Sequence, residues 1–339
     1  MRNLNLDILR IMACLMIVIM HAPLPAENTN GLFLSALSYF TAPGIGLFFM
    51  LSGALLLPIK EDMRTFLKKR FVKVVNPTIF WSLFYILANW LMLHQRAEWG
   101  RSLLSIPFSA HGTSVLWFIY TLLGLYLLAP ILSRWLVNAS KREIEFYLLL
   151  WVITLCYPLL KYVVDLNLGN TGILFYFSGY VGYFLLGYYL KRYVHFIQWK
   201  HLLPLLFFVI AVPVLCKLML LEVDFYDLFW YLSIFVVIQC VCWWKLVCGA
   251  KFGFNSRMLR SFVVELSKMT FGIYLVHIFV MRYLLWNSSS ILQIENYVMQ
   301  TFSIVLLTFI LSVVIVFLLG FLPFGYCLVG YKSRLSLEK

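Results

Sequence analysis

Residues 302–324 read FSIVLLTFILSVVIVFLLGFLPF, twenty-three consecutive positions without a charged side chain. Coiled as a helix, about twenty such residues cross the hydrocarbon core of a bilayer. Residues 11–20, IMACLMIVIM, continue the pattern near the start of the chain, and several similar runs lie between the two. Over all 339 residues 63% are hydrophobic and only 12% charged, about half the charge of an ordinary soluble domain. The fold class that follows is all-α, a polytopic membrane helix bundle.

Apolar windows of about twenty residues put spans near 6–24, 40–58, 75–93, 114–136, 144–162, 172–190, 202–220, 227–246, 268–286 and 299–323. That is about ten transmembrane helices in a single membrane-embedded domain over 1–339. The charges sort by side. With the N-terminus cytoplasmic, the even-numbered connections and the C-terminal tail carry Lys60, Arg64, Lys68, Lys69, Arg70 and Lys73, then Arg134, Lys141, Arg142 and most of the remaining basic residues. The other side holds only Arg96, Arg101, Lys161, Lys217 and Arg282, with an acidic cluster of Glu222, Asp224 and Asp227. Cytoplasmic loops of membrane proteins are enriched in Lys and Arg, so both termini read as cytoplasmic. The net charge of +13 is therefore a topology signal, and no nucleic acid partner is expected. Membrane lipids are the surroundings.

The start of the chain also resembles a secretory signal, with Arg2 to Arg10 ahead of an apolar core. Asp7 within that region and the weak cleavage site Leu24-Pro25-Ala26 favour a retained first span. The seven cysteines are odd in number and fall mostly inside apolar runs, which reads as small buried side chains without a disulfide framework. Cys240 and Cys242 are two apart and face different directions on a helix, so no metal site is expected.

Ionisable residues inside spans are costly and mark pathways or sites. The first span holds Asp7, Arg10 and His21. His21 lies eleven positions after Arg10, which returns a helix to nearly the same face about 16 Å further along. Asp7, three before Arg10, shares that face and can pair with it. Either Asp7 and Arg10 sit at the headgroups with His21 as an interfacial cap, or the stripe is functional. The ten apolar residues before His21 favour function, because a neutral imidazole suits proton transfer near neutral pH.

Residues 63–73, MRTFLKKRFVK, interleave basic and apolar side chains and read as an amphipathic helix on the inner leaflet. Arg70 and Lys73 project together there, a geometry suited to phosphate groups and equally to a positive-inside anchor. Arg257 and Arg260 repeat the spacing. His277, in FGIYLVHIFV at 271–280, reads as a packing residue. His94, His111, His195 and His201 read as solvated. No G-x-S-x-G, P-loop or H-E-x-x-H motif occurs, which leaves a hydrolase or an ATP-driven pump without support.

Together these motifs resemble the acyltransferase-3 family of membrane acyltransferases. Leu6-Asp7-Ile8-Leu9-Arg10, ten residues, then His21 is similar to that family's opening motif. Gly46 to Gly53 (GLFFMLSG), the basic segment from Phe66 to Pro77, Leu116-Trp117-Phe118, and Phe271 to His277 (FGIYLVH) resemble its later segments in order. Lys73 stands where the family often has a second arginine, and Thr270-Phe271 stands for the usual Ser-Tyr. The resemblance implies an acyl-CoA-dependent O-acyltransferase, its co-substrate acetyl-CoA or another short acyl-CoA and its acceptor a hydroxyl of a surface or lipid-linked glycan. It implies His21 as general base or acyl-carrying nucleophile and Arg10, with Asp7, beside the donor's path. Arg70, Lys73 and Lys69 would hold the coenzyme phosphates, with no metal. The competing class is a transporter or flippase for a lipid-linked glycan, and no inverted repeat is visible in its favour.

Overall fold

In the computed structural model the described residues are 2–24, 31–92, 99–109, 116–165, 172–193, 198–219, 228–250, 252 and 256–333. His94, Arg96, His111, His195, Lys251, Arg334, Lys339, Pro25-Ala26 and the acidic cluster Glu222, Asp224 and Asp227 lie outside them.

The chain is all-α, with no strand among the described residues. In order the helices are α1 (Leu4–His21), α2 (Gly31–Thr41), α3 (Pro43–Leu56), α4 (Met63–Met92), α5 (Trp99–Ser105), α6 (Trp117–Asn138), α7 (Lys141–Leu155) and α8 (Tyr157–Val164). There follow α9 (Val181–Tyr193), α10 (Trp199–Leu218), α11 (Ile234–Gly249) and α12 (Arg257–Ile278), which runs into a π-helical stretch, Phe279–Leu285. The last are α13 (Ser289–Leu292), α14 (Tyr297–Leu319) and α15 (Gly325–Val329).

Among the described residues seven helical stretches, with α2–α3 and α12 plus its π-helical end each counted as one, are long and apolar enough to cross a membrane, and an eighth is formed if the bent pair α7–α8 counts as one. Each sequence window holds a helix, and two are shorter than expected. The window at 172–190 yields only α9, because Gly179 takes a left-handed φ of 88° and the regular helix begins after it. The window at 227–246 yields α11, which starts where the Ser233 hydroxyl caps the Val236 amide. The 42° bend between α7 and α8 falls at Cys156, two residues before Pro158; a proline lacks the amide needed to continue the ladder.

The basic segment 63–73 is a correction to the expected surface helix: it forms the first turns of α4, continuous with the span. Asp62 accepts the Thr65 amide at 2.9 Å and so caps its start. The Thr65 hydroxyl and amide hold the Asp62 carboxyl below its ordinary value.

The chain divides into two compact units, Met1–Met20, Pro25–Pro58 and Ala129–Val263 in one, and His21–Leu24, Ile59–Leu128 and Val264–Lys339 in the other. The first is built on α3 against α9. A Cβ on Gly53 would run into the Phe184 carbonyl, and one on Gly187 into the Met50 carbonyl. Backbone therefore meets backbone, the close approach that small residues allow between helices in lipid. The GLFFMLSG segment is thus a packing motif. In the same unit Lys191 donates to the Ala54 carbonyl at 2.6 Å, and the Asn5 amide holds the carbonyls of Cys248 and Ala250. The seven cysteines are all thiols.

In the second unit α15 lies against α4. The Trp81 indole donates to the Leu328 carbonyl at 2.9 Å, and Gly330, at φ 63°, brings the chain past the Phe271 ring and the Lys73 carbonyl.

The glycine contacts between α3 and α9 carry a direct expectation. Gly53→Ala or Gly187→Ala should destabilise the protein by about 1–3 kcal/mol or more. Gly124→Ala, where a Cβ meets nothing within 4 Å, should leave stability intact. Thermal denaturation of the detergent-solubilised variants, read by size-exclusion fluorescence, decides the matter; equal melting temperatures would refute the close approach.

Candidate functional site

One face of α4 carries Phe66, Arg70, Val74, Pro77, Trp81 and Tyr85, spaced three or four residues apart. Arg70 is half-buried near the start of the helix, its guanidinium 5.6 Å from the centre of the Phe66 ring. Its Nε is buried and has no hydrogen-bond partner among the described residues. Tyr326, at the start of α15, feels the Arg70 charge: burial raises the phenol pKa and the guanidinium opposes the rise. A buried guanidinium donor with an open position suits an oxyanion. Lys73, one turn on, is half-buried. Lys69 points to the surface and forms an ion pair with Glu61.

Fifteen residues beyond Arg70, about 22 Å along the helix, the same face of α4 reaches the end of α12. There the Tyr85 hydroxyl donates to the Leu275 carbonyl at 2.7 Å and accepts from the Phe279 amide at 3.1 Å. These are the two groups that an α-helix joins directly. A hydroxyl inserted between them opens the ladder, and the π-helical stretch begins at Phe279. It closes with the Trp286 amide donating to the Met281 carbonyl at 2.9 Å, an i→i−5 bond. Without the hydroxyl, a buried carbonyl and amide would each cost about 1–3 kcal/mol if left unpaired. Asn89, one turn after Tyr85, accepts the Tyr283 hydroxyl and ties the helices a second time.

His277 lies between the bridged residues. It is 1% exposed, and its Nδ1 stands 2.6 Å from the Tyr274 carbonyl. A carbonyl only accepts, so Nδ1 carries the proton and Nε2 presents a lone pair in the neutral ring. That Nε2 is buried without a hydrogen-bond partner among the described residues. Its ring neighbours are Tyr274, at 5.5 Å, and His21, at 5.4 Å between centroids with the rings inclined by 62°. The segment after His21 is held from both sides. The Trp286 indole donates to the Ala22 carbonyl at 3.2 Å, and the Tyr297 hydroxyl to the Leu24 carbonyl at 2.7 Å. A half-buried histidine thus ends α1 against a buried one whose lone pair is uncommitted.

From Tyr297, α14 runs to Gly320, where a Cβ would meet the Tyr331 ring. Thr301, Thr308 and Ser312 on its buried face have hydroxyls with no hydrogen-bond partner among the described residues. Thr301 to Ser312 spans about 16 Å. No cluster of three His, Cys, Asp or Glu side chains able to hold a metal occurs among the described residues.

The family model for the acyltransferase domain of the acyltransferase-3 family matches residues 3–320. This chain belongs to that family. It is a membrane acyltransferase, and the acyltransferase-3 match spans both compact units. No curated protein and no solved structure matches it.

Of the residues singled out in the sequence, His21, Arg70, Lys73 and Lys69 all fall in the second unit of this acyltransferase. Asp7 and Arg10 fall in the first, where the buried Asp7 carboxylate takes both ends of the Arg2 guanidinium at 2.7 Å. His277 reads from sequence as packing, yet it is the ring beside His21. Tyr85 and Trp286 have no signal of their own in the spacing. The FGIYLVH segment was the one pointer to this corner of the fold.

Histidine-selective ¹⁵N NMR of the nanodisc-reconstituted protein, assigned with His277→Phe, should show a proton on Nδ1 of His277 and a lone pair on Nε2. The opposite tautomer would contradict the geometry.

Proposed function

We propose that the protein is an acyl-CoA-dependent O-acyltransferase that moves a small acyl group, acetyl in the simplest case, to a hydroxyl of an extracytoplasmic or lipid-linked glycan. The observation that carries this reading is the His21–His277 pair, with an uncommitted imidazole lone pair in a buried setting. A buried imidazole of this kind is the usual apparatus for taking a proton from an attacking hydroxyl. In this reading the chain functions as one domain over 1–339, with about ten spans and both termini cytoplasmic, in a bacterial plasma membrane. The concentration of Lys and Arg in alternate connections supports that orientation.

The donor's phosphates bind at Arg70 and Lys73, with Lys69 adding charge at the rim. Arg70 is the stronger contributor, because its Nε is desolvated and open. The pantetheine arm carries amides that need hydrogen-bonding partners in an apolar surrounding. The unpartnered hydroxyls of Thr301, Thr308 and Ser312 are suited to that need. Arg10 and Asp7 enter the proposal through the family pattern alone, as the groups that orient the donor.

In the transfer step His21 takes the proton of the acceptor hydroxyl as its oxygen attacks the thioester carbonyl. The new C–O bond forms, the C–S bond breaks, and the coenzyme leaves as a thiolate that receives the proton from His21. His277, held neutral by the Tyr274 carbonyl, keeps an uncommitted lone pair beside the His21 ring. A route through an acyl-histidine uses the same atoms in two steps.

The test compares the acyl content and amount of surface glycan by NMR in an unmodified strain, a deletion, and a His21→Ala replacement of confirmed expression. Both mutants should retain normal glycan and lose one acyl signal. A deletion that loses the glycan itself, beside a His21→Ala strain with full acylation, would point to transport instead. In membrane vesicles Arg70→Ala should raise the KM for acetyl-CoA by about tenfold or more, the scale of one lost charge-assisted hydrogen bond, with kcat little changed.

A further inference from the structure

The π-helical stretch has a geometric consequence for the histidine pair. Trp286 lies nine residues after His277. Nine steps of about 100° would put it on the opposite side of an ordinary α-helix. A π turn takes more residues and rotates less at each, and over Phe279–Leu285 the deficit is on the order of 100°. Trp286 is thereby brought round toward the His277 side. Both side chains in fact meet the end of α1 at adjacent residues, His277 against the His21 ring and Trp286 on the Ala22 carbonyl. Only the widened turn allows one helix to grip that point twice.

Tyr85 supports the widened turn. Its hydroxyl occupies the bond between Leu275 and Phe279 at the boundary where α12 becomes π-helical. Aromatic contacts with Trp81, Phe84 and Tyr283 surround the ring, which is itself 2% exposed. The phenol oxygen therefore has little freedom to leave.

We infer that Tyr85 is a positioning residue of the acyltransferase: its hydroxyl, inserted in the ladder of the helix that bears His277, sets the π turn that holds His277 and Trp286 together on the end of α1 and so fixes His21 against His277. Tyr85 touches neither substrate in this scheme and acts wholly through the pair. The inference rests on the functional reading above.

Tyr85→Phe keeps the ring and removes only the hydroxyl, so the Phe279 amide can close on the Leu275 carbonyl and the following residues rotate. Tyr120→Phe is the control. It removes another hydroxyl from the same unit, one that donates to the Ile106 carbonyl at 2.8 Å away from the π turn. Initial rates are measured in nanodiscs with acetyl-CoA as donor and glycan extracted from the deletion strain as acceptor. The indole N–H resonance of Trp286, assigned with Trp286→Phe, is followed by NMR in the same preparations.

Tyr85→Phe should lower kcat on the order of 10- to 100-fold, the scale of a reacting group displaced by about an ångström. The KM for acetyl-CoA should stay within about twofold, as expected of a group outside the donor site. The Trp286 indole signal should move as its bond to Ala22 is lost, and Tyr120→Phe should change none of the three. Full kcat with an unmoved indole signal overturns the inference. So does lost rate with an unmoved signal, or a moved signal with full rate. His21→Ala, run alongside, separates the two levels of argument. If it is inactive while Tyr85→Phe is fully active, the positioning role alone falls; if it is fully active, the functional reading falls and the inference with it.

Discussion

The lipid core offers no water to hydrogen-bond with, so every backbone amide and carbonyl within it must find a partner inside the protein. Most of this chain meets that constraint by remaining helical. The interest lies where the helical ladder is interrupted, because each interruption must be repaired by a neighbour. At Leu275 and Phe279 the repair is the Tyr85 hydroxyl, which serves both groups at once. The polar groups brought in for such repairs are then fixed in position, and that rigidity is what a catalytic histidine needs from its surroundings.

The two units of the chain use the same solvent differently. In the first, Gly53 and Gly187 let two helices touch backbone to backbone, and dispersion between close-packed atoms supplies the cohesion that lipid denies to hydrophobic contact. In the second, cohesion runs through hydrogen bonds between elements: Trp81 to Leu328, Tyr85 to Leu275, Trp286 to Ala22 and Tyr297 to Leu24. Buried polar networks of this kind are costly when incomplete and specific when satisfied. Among the described residues the buried polar atoms without a partner in the second unit are Arg70 Nε, His277 Nε2, the hydroxyls of Thr301, Thr308 and Ser312 on α14, and the Ser82 hydroxyl on α4.

α4 connects these features. Its buried face begins at Phe66 and Arg70 and continues past Pro77 to Tyr85, so one helix carries the candidate anion site near one end and the bridge to the helix of His277 near the other. The continuity of the basic segment with the span matters here. A separate surface helix would have left Arg70 free to move relative to Tyr85, whereas one continuous helix keeps both on the same face.

The membrane class and the helical fold were legible in the sequence, because each depends on local chemistry. An apolar run of twenty-three residues has few other solutions, and a histidine eleven residues beyond an arginine on one helix needs no tertiary knowledge to be noticed. The family was legible for the same reason, since its motifs are contiguous strings such as LDILR and FGIYLVH, and residues 3–320 match it. What the sequence could not supply was any relation between distant segments. His277 looked like packing because its partner, His21, is 256 positions away in the chain. The shortened α9 and α11 were hidden because a left-handed glycine and a serine cap decide where a helix starts, and hydropathy averages over both. The π turn depends on a hydroxyl from α4 reaching into α12, and no property of α12 alone predicts that insertion. Local propensity and solvent chose the helices, while the pairing of their polar groups was decided only when the chain packed, because a hydrogen bond is defined by two partners and the sequence lists them one at a time.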